Sequence, residues 1–292
     1  MCISGGQCPR QSVPLLFPEI SNQKGYNFFY LTLVLMDVTL ISAMFEELPR
    51  QGPGSDESTA YAYSFIPPVP KGGHILDIGC GSGMQTLTLA RLCPGCRITA
   101  IDLHQPFLDD LNHRAKNAGF DGRIESHCAS MDNLSFREAS FDLIWSEGSA
   151  FIMGLLPALH YWKHFLKPDG YLVVSDCTWF TDSPSDECRN FLDELCPEMK
   201  SESGIKDLIR AEGYTVTGSF RLPDAGWWDH YYSPLAGRIP MLKEKYANNA
   251  DAHKIIQELE KEMEVHRKYS KEYGYTFFVL KNSNGGETGM FR

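Results

Sequence analysis

Residues 74–90 read HILDIGCGSGMQTLTLA, a five-residue apolar run, three glycines at alternate positions and then helical spacing. The run His74 to Ile78 has the length and β-branched content of a buried strand, so the stretch predicts strand, tight turn and helix in that order. A dinucleotide-binding turn follows the pattern G-x-G-x-x-G or A, whose third small residue lets the helix pack closely with its N-terminus toward a pyrophosphate. Here Gly79 and Gly81 stand in the first two slots, Gly83 follows, and the third slot holds Met84. A thioether there crowds the approach of phosphates, and Asp77 sets a carboxylate beside them. Both features disfavour a polyanion and suit a ligand that carries an adenosine, a vicinal diol and a positive charge.

Four further blocks follow in order. RITAID ends on Asp102, about 20 residues past the loop, where a ribose-binding acid is expected. HCASMDNLSF contains Ser130, Met131 and Asp132; SFDLIWSEG carries Ser146 and Glu147; LKPDGYLVVSD closes the series. Over roughly residues 60–180 this order resembles the class I S-adenosylmethionine (SAM)-dependent methyltransferases. The DNLSF, SFDLIWS and LKPDGYLVVSD blocks are most similar to the ubiquinone and menaquinone biosynthesis type and its small-molecule relatives. The resemblance implies an α/β, Rossmann-like, seven-stranded sheet with helices on both faces. It implies SAM as cofactor, held by Arg50, Asp77, Gly79, Gly81, Gly83, Asp102, Leu103, Ser130, Met131, Asp132 and Ser146. Within that set, Asp102 would take the ribose diol and Ser130–Asp132 the adenine.

Composition narrows the acceptor. Lysine and arginine number 27 against 37 aspartates and glutamates, a net charge of −10. An acidic surface repels phosphate backbones, so the expected partner is a small-molecule acceptor and no nucleic acid. Nine cysteines without an export signal point to a reducing cytoplasm. Cys93-Pro94-Gly95-Cys96 falls where a turn is wanted, and no second pair stands at zinc-finger spacing, so no metal is expected.

Residues 28–45 approach membrane-span length, but Asp37 sits near the middle, where lipid burial costs about 3 kcal/mol. No stable membrane span is expected. Residues 1–35 have little pattern and read as an extension, with Met36 an alternative start. Residues 36–70 read as a helical lid followed by the loop RQGPGS, a segment shared in resemblance with an uncharacterised bacterial methyltransferase subgroup. Arg50 would there offer its planar fork to the methionine carboxylate. Residues 71–292 form the remaining domain.

Between the sixth and seventh strands about fifty residues, 222–273, replace a short hairpin. They begin LPDAGWWDHYYSPLAGR and run into charged helical sequence at 251–272. This insertion is expected to cap the substrate, with Trp227, Trp228, His230, Tyr231 and Tyr232 lining the acceptor side, Trp179 nearby, and the helix bracing them. Methyl transfer needs alignment, exclusion of water and, for a protonated acceptor, a base. Glu147 and His230 are the catalytic candidates; Glu147 is equally suited to orienting an acceptor or to binding the cofactor's amino end. An NAD(P)-dependent oxidoreductase and a non-catalytic SAM-binding or interaction module are the alternatives.

Overall fold

The computed structural model describes residues 38–196 and 199–283. The expectations for residues 1–35, and for most of the apolar stretch beginning at residue 28, lie outside those residues. Among the described residues no helix is long and apolar enough to cross a membrane.

Helices α1 (Val38–Phe45) and α2 (Asp56–Tyr63) precede an alternating series. The series runs β1 (His74–Ile78), α3 (Met84–Leu92), β2 (Arg97–Asp102), α4 (Gln105–Asn117), β3 (Ile124–Cys128), β4 (Phe141–Glu147), α5 (Leu155–Trp162) and β5 (Leu166–Trp179). After it come α6 (Asp186–Leu195), β6 (Lys200–Ser201), α7 (Glu202–Ala211) and β7 (Tyr214–Arg221). The insertion holds α8 (Asp224–Trp227), a π-helical turn (Trp228–Tyr232), α9 (Ser233–Lys245) and α10 (Ala250–Tyr269), and β8 (Tyr273–Asn282) closes the sheet.

The strand order is β3-β2-β1-β4-β5-β8-β7. β1 to β5 run parallel, and β8 runs antiparallel between β5 and β7. The expected seven strands are joined by one extra, the two-residue β6 paired to the end of β5. The order reverses between β1 and β4, and in an open α/β sheet the crevice beyond the carboxyl ends of such strands is where ligands bind.

Alternation along the strands divides the core. Leu76, Ile144, Leu172, Val174 and Phe278 face α5 and α7, while Ile75, Leu143, Trp145, Val173 and Phe277 face the other side. On that second side Met44 of α1, Leu235 and Ile239 of α9, and Ile255 and Leu259 of α10 are buried in the same cluster. The insertion is therefore packed into the main core together with the lid. In the turn between α3 and β2, Pro94 and Gly95 bring the Cα atoms of Cys93 and Cys96 to 5.4 Å, and their sulfurs form a disulfide. The sequence favoured free thiols there.

Candidate active site

The glycine loop leaves β1 with Gly79, Gly81 and Gly83 all at positive φ, a region costly for any residue with a Cβ. Each glycine also admits a close neighbour. A Cβ on Gly79 would lie 2.5 Å from the Ser149 hydroxyl, one on Gly81 2.4 Å from Gln51 Oε1, and one on Gly83 2.1 Å from Leu111. Gly83 thus sets the approach of α3 to α4, the role of the third small residue in a dinucleotide turn, one position early.

At the end of β2, Asp102 recesses its carboxylate beside this loop. Oδ2 accepts from the Gly81 amide at 2.9 Å and Oδ1 from the His104 amide at 2.9 Å. Burial pushes the carboxyl up, while the His104 and Gly81 amides pull it down. Leu103, the next residue, is 62% exposed, an apolar shelf bordering the crevice. Met131 comes from the β3–β4 loop, held by Trp162 Nε1 donating to its carbonyl at 3.0 Å, and its methyl reaches within 3.7 Å of the Gly79 Cβ position. Ser130 donates to Asp132 in the same turn. The structure so gathers Gly79, Gly81, Asp102, Leu103 and Met131 on one edge, with Ser130 and Asp132 in the adjoining turn.

Two other residues of the expected cofactor set lie below that surface. Asp77 is wholly buried, accepting from Thr86 Oγ1 at 2.5 Å and Gln85 Nε2 at 3.5 Å, and burial raises it to about 7. It ties β1 to α3. Ser146 is fully buried, its hydroxyl 2.7 Å from that of Ser149.

The lid meets the glycine loop directly. Gln51 Oε1 accepts from the Ser82 amide at 2.7 Å, and Ser82 Oγ donates to the Pro49 carbonyl at 3.0 Å. Ser55 caps α2 by accepting from the Ser58 amide, and Gly54 N–H donates to the Gly226 carbonyl of the insertion at 3.1 Å. Arg50, 7% exposed, lies between Asp56 at 2.9 Å and Glu147 at 3.5 Å. Glu147 Oε1 also accepts from Thr59 at 2.6 Å and Trp145 Nε1 at 2.8 Å. Burial raises its carboxyl; Arg50, Thr59 and Trp145 oppose the rise. A guanidinium and a carboxylate side by side at the mouth of the crevice form a matched pair for a zwitterion. The sequence indicated Arg50 and Glu147 separately; Thr59 and Trp145, which orient Glu147, carried no local signal.

On the outer side a cleft is lined by Pro49, Arg50, Asp56, Glu57, Met84 and His230. His230 is exposed there, apart from Tyr231 and Tyr232, which are buried with Trp227. Trp228 is half-buried under the guanidinium of Arg267, 4.6 Å from the ring centroid. Trp179 packs elsewhere, in a smaller cluster with Phe191 and Tyr269. The residues expected to line the acceptor side do not form one open wall; Trp227, Tyr231 and Tyr232 are core as the insertion stands.

Residues 75–170 match the family profile described as a methyltransferase domain. The matched stretch runs from β1 into β5. It is 28% identical over 148 residues to an O-methyltransferase of Aspergillus sclerotiorum, covering 50% of this chain and 56% of that protein. It is also 28% identical over 166 residues to dimethylglycine N-methyltransferase of Parasynechococcus marenigrum, covering 56% and 58%. The chain thus spans little more than half the length of these curated relatives. Its fold is similar to the SAM-dependent methyltransferase of Geobacter sulfurreducens crystallised with S-adenosyl-L-homocysteine, at a TM-score of 0.71 and 20% identity, over 83% of this chain and 97% of that one.

Proposed function

We propose that the protein is a SAM-dependent methyltransferase acting on a small-molecule acceptor. The observation that carries this reading is Asp102, a carboxylate fixed at the end of β2 by the Gly81 and His104 amides, with lone pairs left for a diol. The residues around it fit SAM. Leu103 and Met131 offer an apolar berth for an adenine, and Arg50 with Glu147 offers one charge of each sign to the amino-acid end. Bound there, the cofactor supplies an electrophilic methyl group on a sulfonium.

The chain's own residues then have three tasks. Arg50 and Glu147 orient the amino-acid end. Gln51, fastening the lid to Ser82, excludes water from the loop. Glu147, held above its usual range by burial, can take a proton at Oε2, the oxygen nearer Arg50. Of the two curated relatives, one is named an O-methyltransferase and the other acts by name on dimethylglycine, a small molecule, which supports the acceptor class.

Calorimetry with SAM, S-adenosylhomocysteine and NAD tests the reading. Binding of the first two and not the third is expected; tight NAD binding without SAM would establish the oxidoreductase instead.

A further inference from the structure

Arg50 is buried, yet it spends little of its hydrogen-bonding capacity on the protein. Nη2 donates to Asp56 Oδ1 at 2.9 Å, and Nη1 donates to Glu147 Oε2 at 3.5 Å, the far limit of a hydrogen bond. A guanidinium carries five N–H groups, and among the described residues no acceptor meets the others. The cleft on the outer side of the lid reaches this same side chain. Pro49, Asp56, Glu57, Met84 and His230 line it with Arg50, and it holds about 130 Å³. That is room for roughly four waters, or for the carboxylate, α-carbon and ammonium of one amino-acid head. Space and unspent donors meet at one buried cation.

What aims the guanidinium is Asp56 more than Glu147, because the Asp56 contact is a short charge-assisted bond and the Glu147 contact is a long one. Asp56 is itself held from two directions. It is the first residue of α2, directly after the capping Ser55, where the helix dipole favours a carboxylate. Its Oδ2 accepts from Arg91 Nη2 at 2.7 Å, and the same Nη2 donates to Thr88 Oγ1 at 2.7 Å. Thr88 and Arg91 lie on α3, the helix that opens at the glycine loop and sends Met84 into the cleft. Arg91 and Asp56 are partly exposed, so their pair adds little to stability. Its consequence is directional: it fixes where Arg50 must point. A lone carboxylate in this cleft would stand among Asp56, Glu57 and Glu147, whereas an α-amino-acid head brings an ammonium of its own to offset them.

We propose that Asp56, braced by Arg91, is a positioning residue that aims the Arg50 guanidinium so that its unspent N–H groups take the amino-acid carboxylate of the cofactor in this cleft. The assignment rests on the methyltransferase reading and adds the residue that sets the grip on the amino-acid end. Asp56 acts through Arg50.

The test compares S-adenosylhomocysteine with 5′-methylthioadenosine, which keeps the adenosine and the sulfur and lacks the amino-acid end. In calorimetry on the full chain, S-adenosylhomocysteine is expected to bind at least about ten-fold more tightly. Asp56→Ala should cut that advantage by about five-fold while 5′-methylthioadenosine affinity stays within about two-fold of the native value. Asp56→Glu, which restores a carboxylate, should recover most of the advantage. Equal binding of the two ligands by the native chain, an advantage unchanged in Asp56→Ala, a parallel loss of 5′-methylthioadenosine affinity, or no recovery in Asp56→Glu overturns the proposal. Failure of both ligands to bind the native chain would instead overturn the methyltransferase reading.

Discussion

The glycine-loop edge of the sheet and the aromatic turn of the insertion are built on opposite plans. On the cofactor side, polar groups are paired before any ligand arrives: Asp102 with two amides, Glu147 with Thr59 and Trp145, Gln51 with Ser82. In the insertion, among the described residues, Glu262 has a single phenolic donor, and His266 Nδ1 and the Tyr273 hydroxyl have none. Asp176, near the carboxyl end of β5, has among the described residues the Cys177 amide as its one hydrogen-bond donor. A pre-paired surface is rigid and suits a ligand that never changes. Unpaired groups under an aromatic cover carry a cost that the paired surface does not.

Asp176 offers the largest lever on that difference. Burial raises its carboxyl to about 7 from the ordinary 3.8, so the folded protein keeps a proton that the unfolded chain has already lost. Between those values the unfolded state binds fewer protons, and stability falls as pH rises from about 4 to about 7, with no further loss above. The ceiling is about 4 kcal/mol, at about 1.4 kcal/mol per unit. Asp176→Asn preserves an acceptor for the Cys177 amide and should flatten this slope in urea unfolding measured across that range. An unchanged slope would place Asp176 among the satisfied groups.

Gly83→Ala probes the rigidity of the opposite side. The new methyl meets Leu111 at 2.1 Å on a backbone with φ of 82°. Overpacking and the left-handed conformation together should cost about 3 kcal/mol in denaturant unfolding. A loss below about 1 kcal/mol would show that α4 moves freely against the loop.

Asp102→Ala separates binding from folding on the same side. Losing charge-assisted bonds to the diol should weaken S-adenosylhomocysteine binding by about 1.5–3 kcal/mol in calorimetry, while circular dichroism stays native. Unchanged affinity would leave Asp102 a clasp between the Gly81 and His104 amides.

The strand–glycine–helix unit, Asp102 and the spacing of the later strands were legible because each depends on neighbours within a few residues. The helix read from residues 251–272 is α10, Ala250–Tyr269, and the strand YTVTGSFRL is β7. What periodicity did not distinguish was burial that opens onto a ligand from burial that is merely core. Asp77 lies at the right distance from the glycines for a cofactor contact, and only packing shows its carboxylate spent on Thr86 and Gln85. Tyr231 and Tyr232 share a window with Trp228 and His230, yet a π-helical turn buries the first pair and leaves His230 in the outer cleft. β6 escaped notice because two residues carry no period.

The sequence by itself determined the sheet, the turn at its switch point and the acid that ends β2, since local sterics, β-branching and a twenty-residue spacing specify them. Only the tertiary structure decided that Gln51 reaches Ser82, that Arg50 faces Glu147, and that Glu262, His266, Tyr273 and Tyr275 meet beneath Trp227. The contacts of Gln51 with Ser82, of Trp227 with His266 and Tyr275, and of Arg50 with Glu147 join segments from 31 to 97 residues apart, and are fixed by how α1, α9 and α10 share one core with the sheet. Such packing is a property of the whole chain, because each buried face is complementary to a surface that no local pattern encodes.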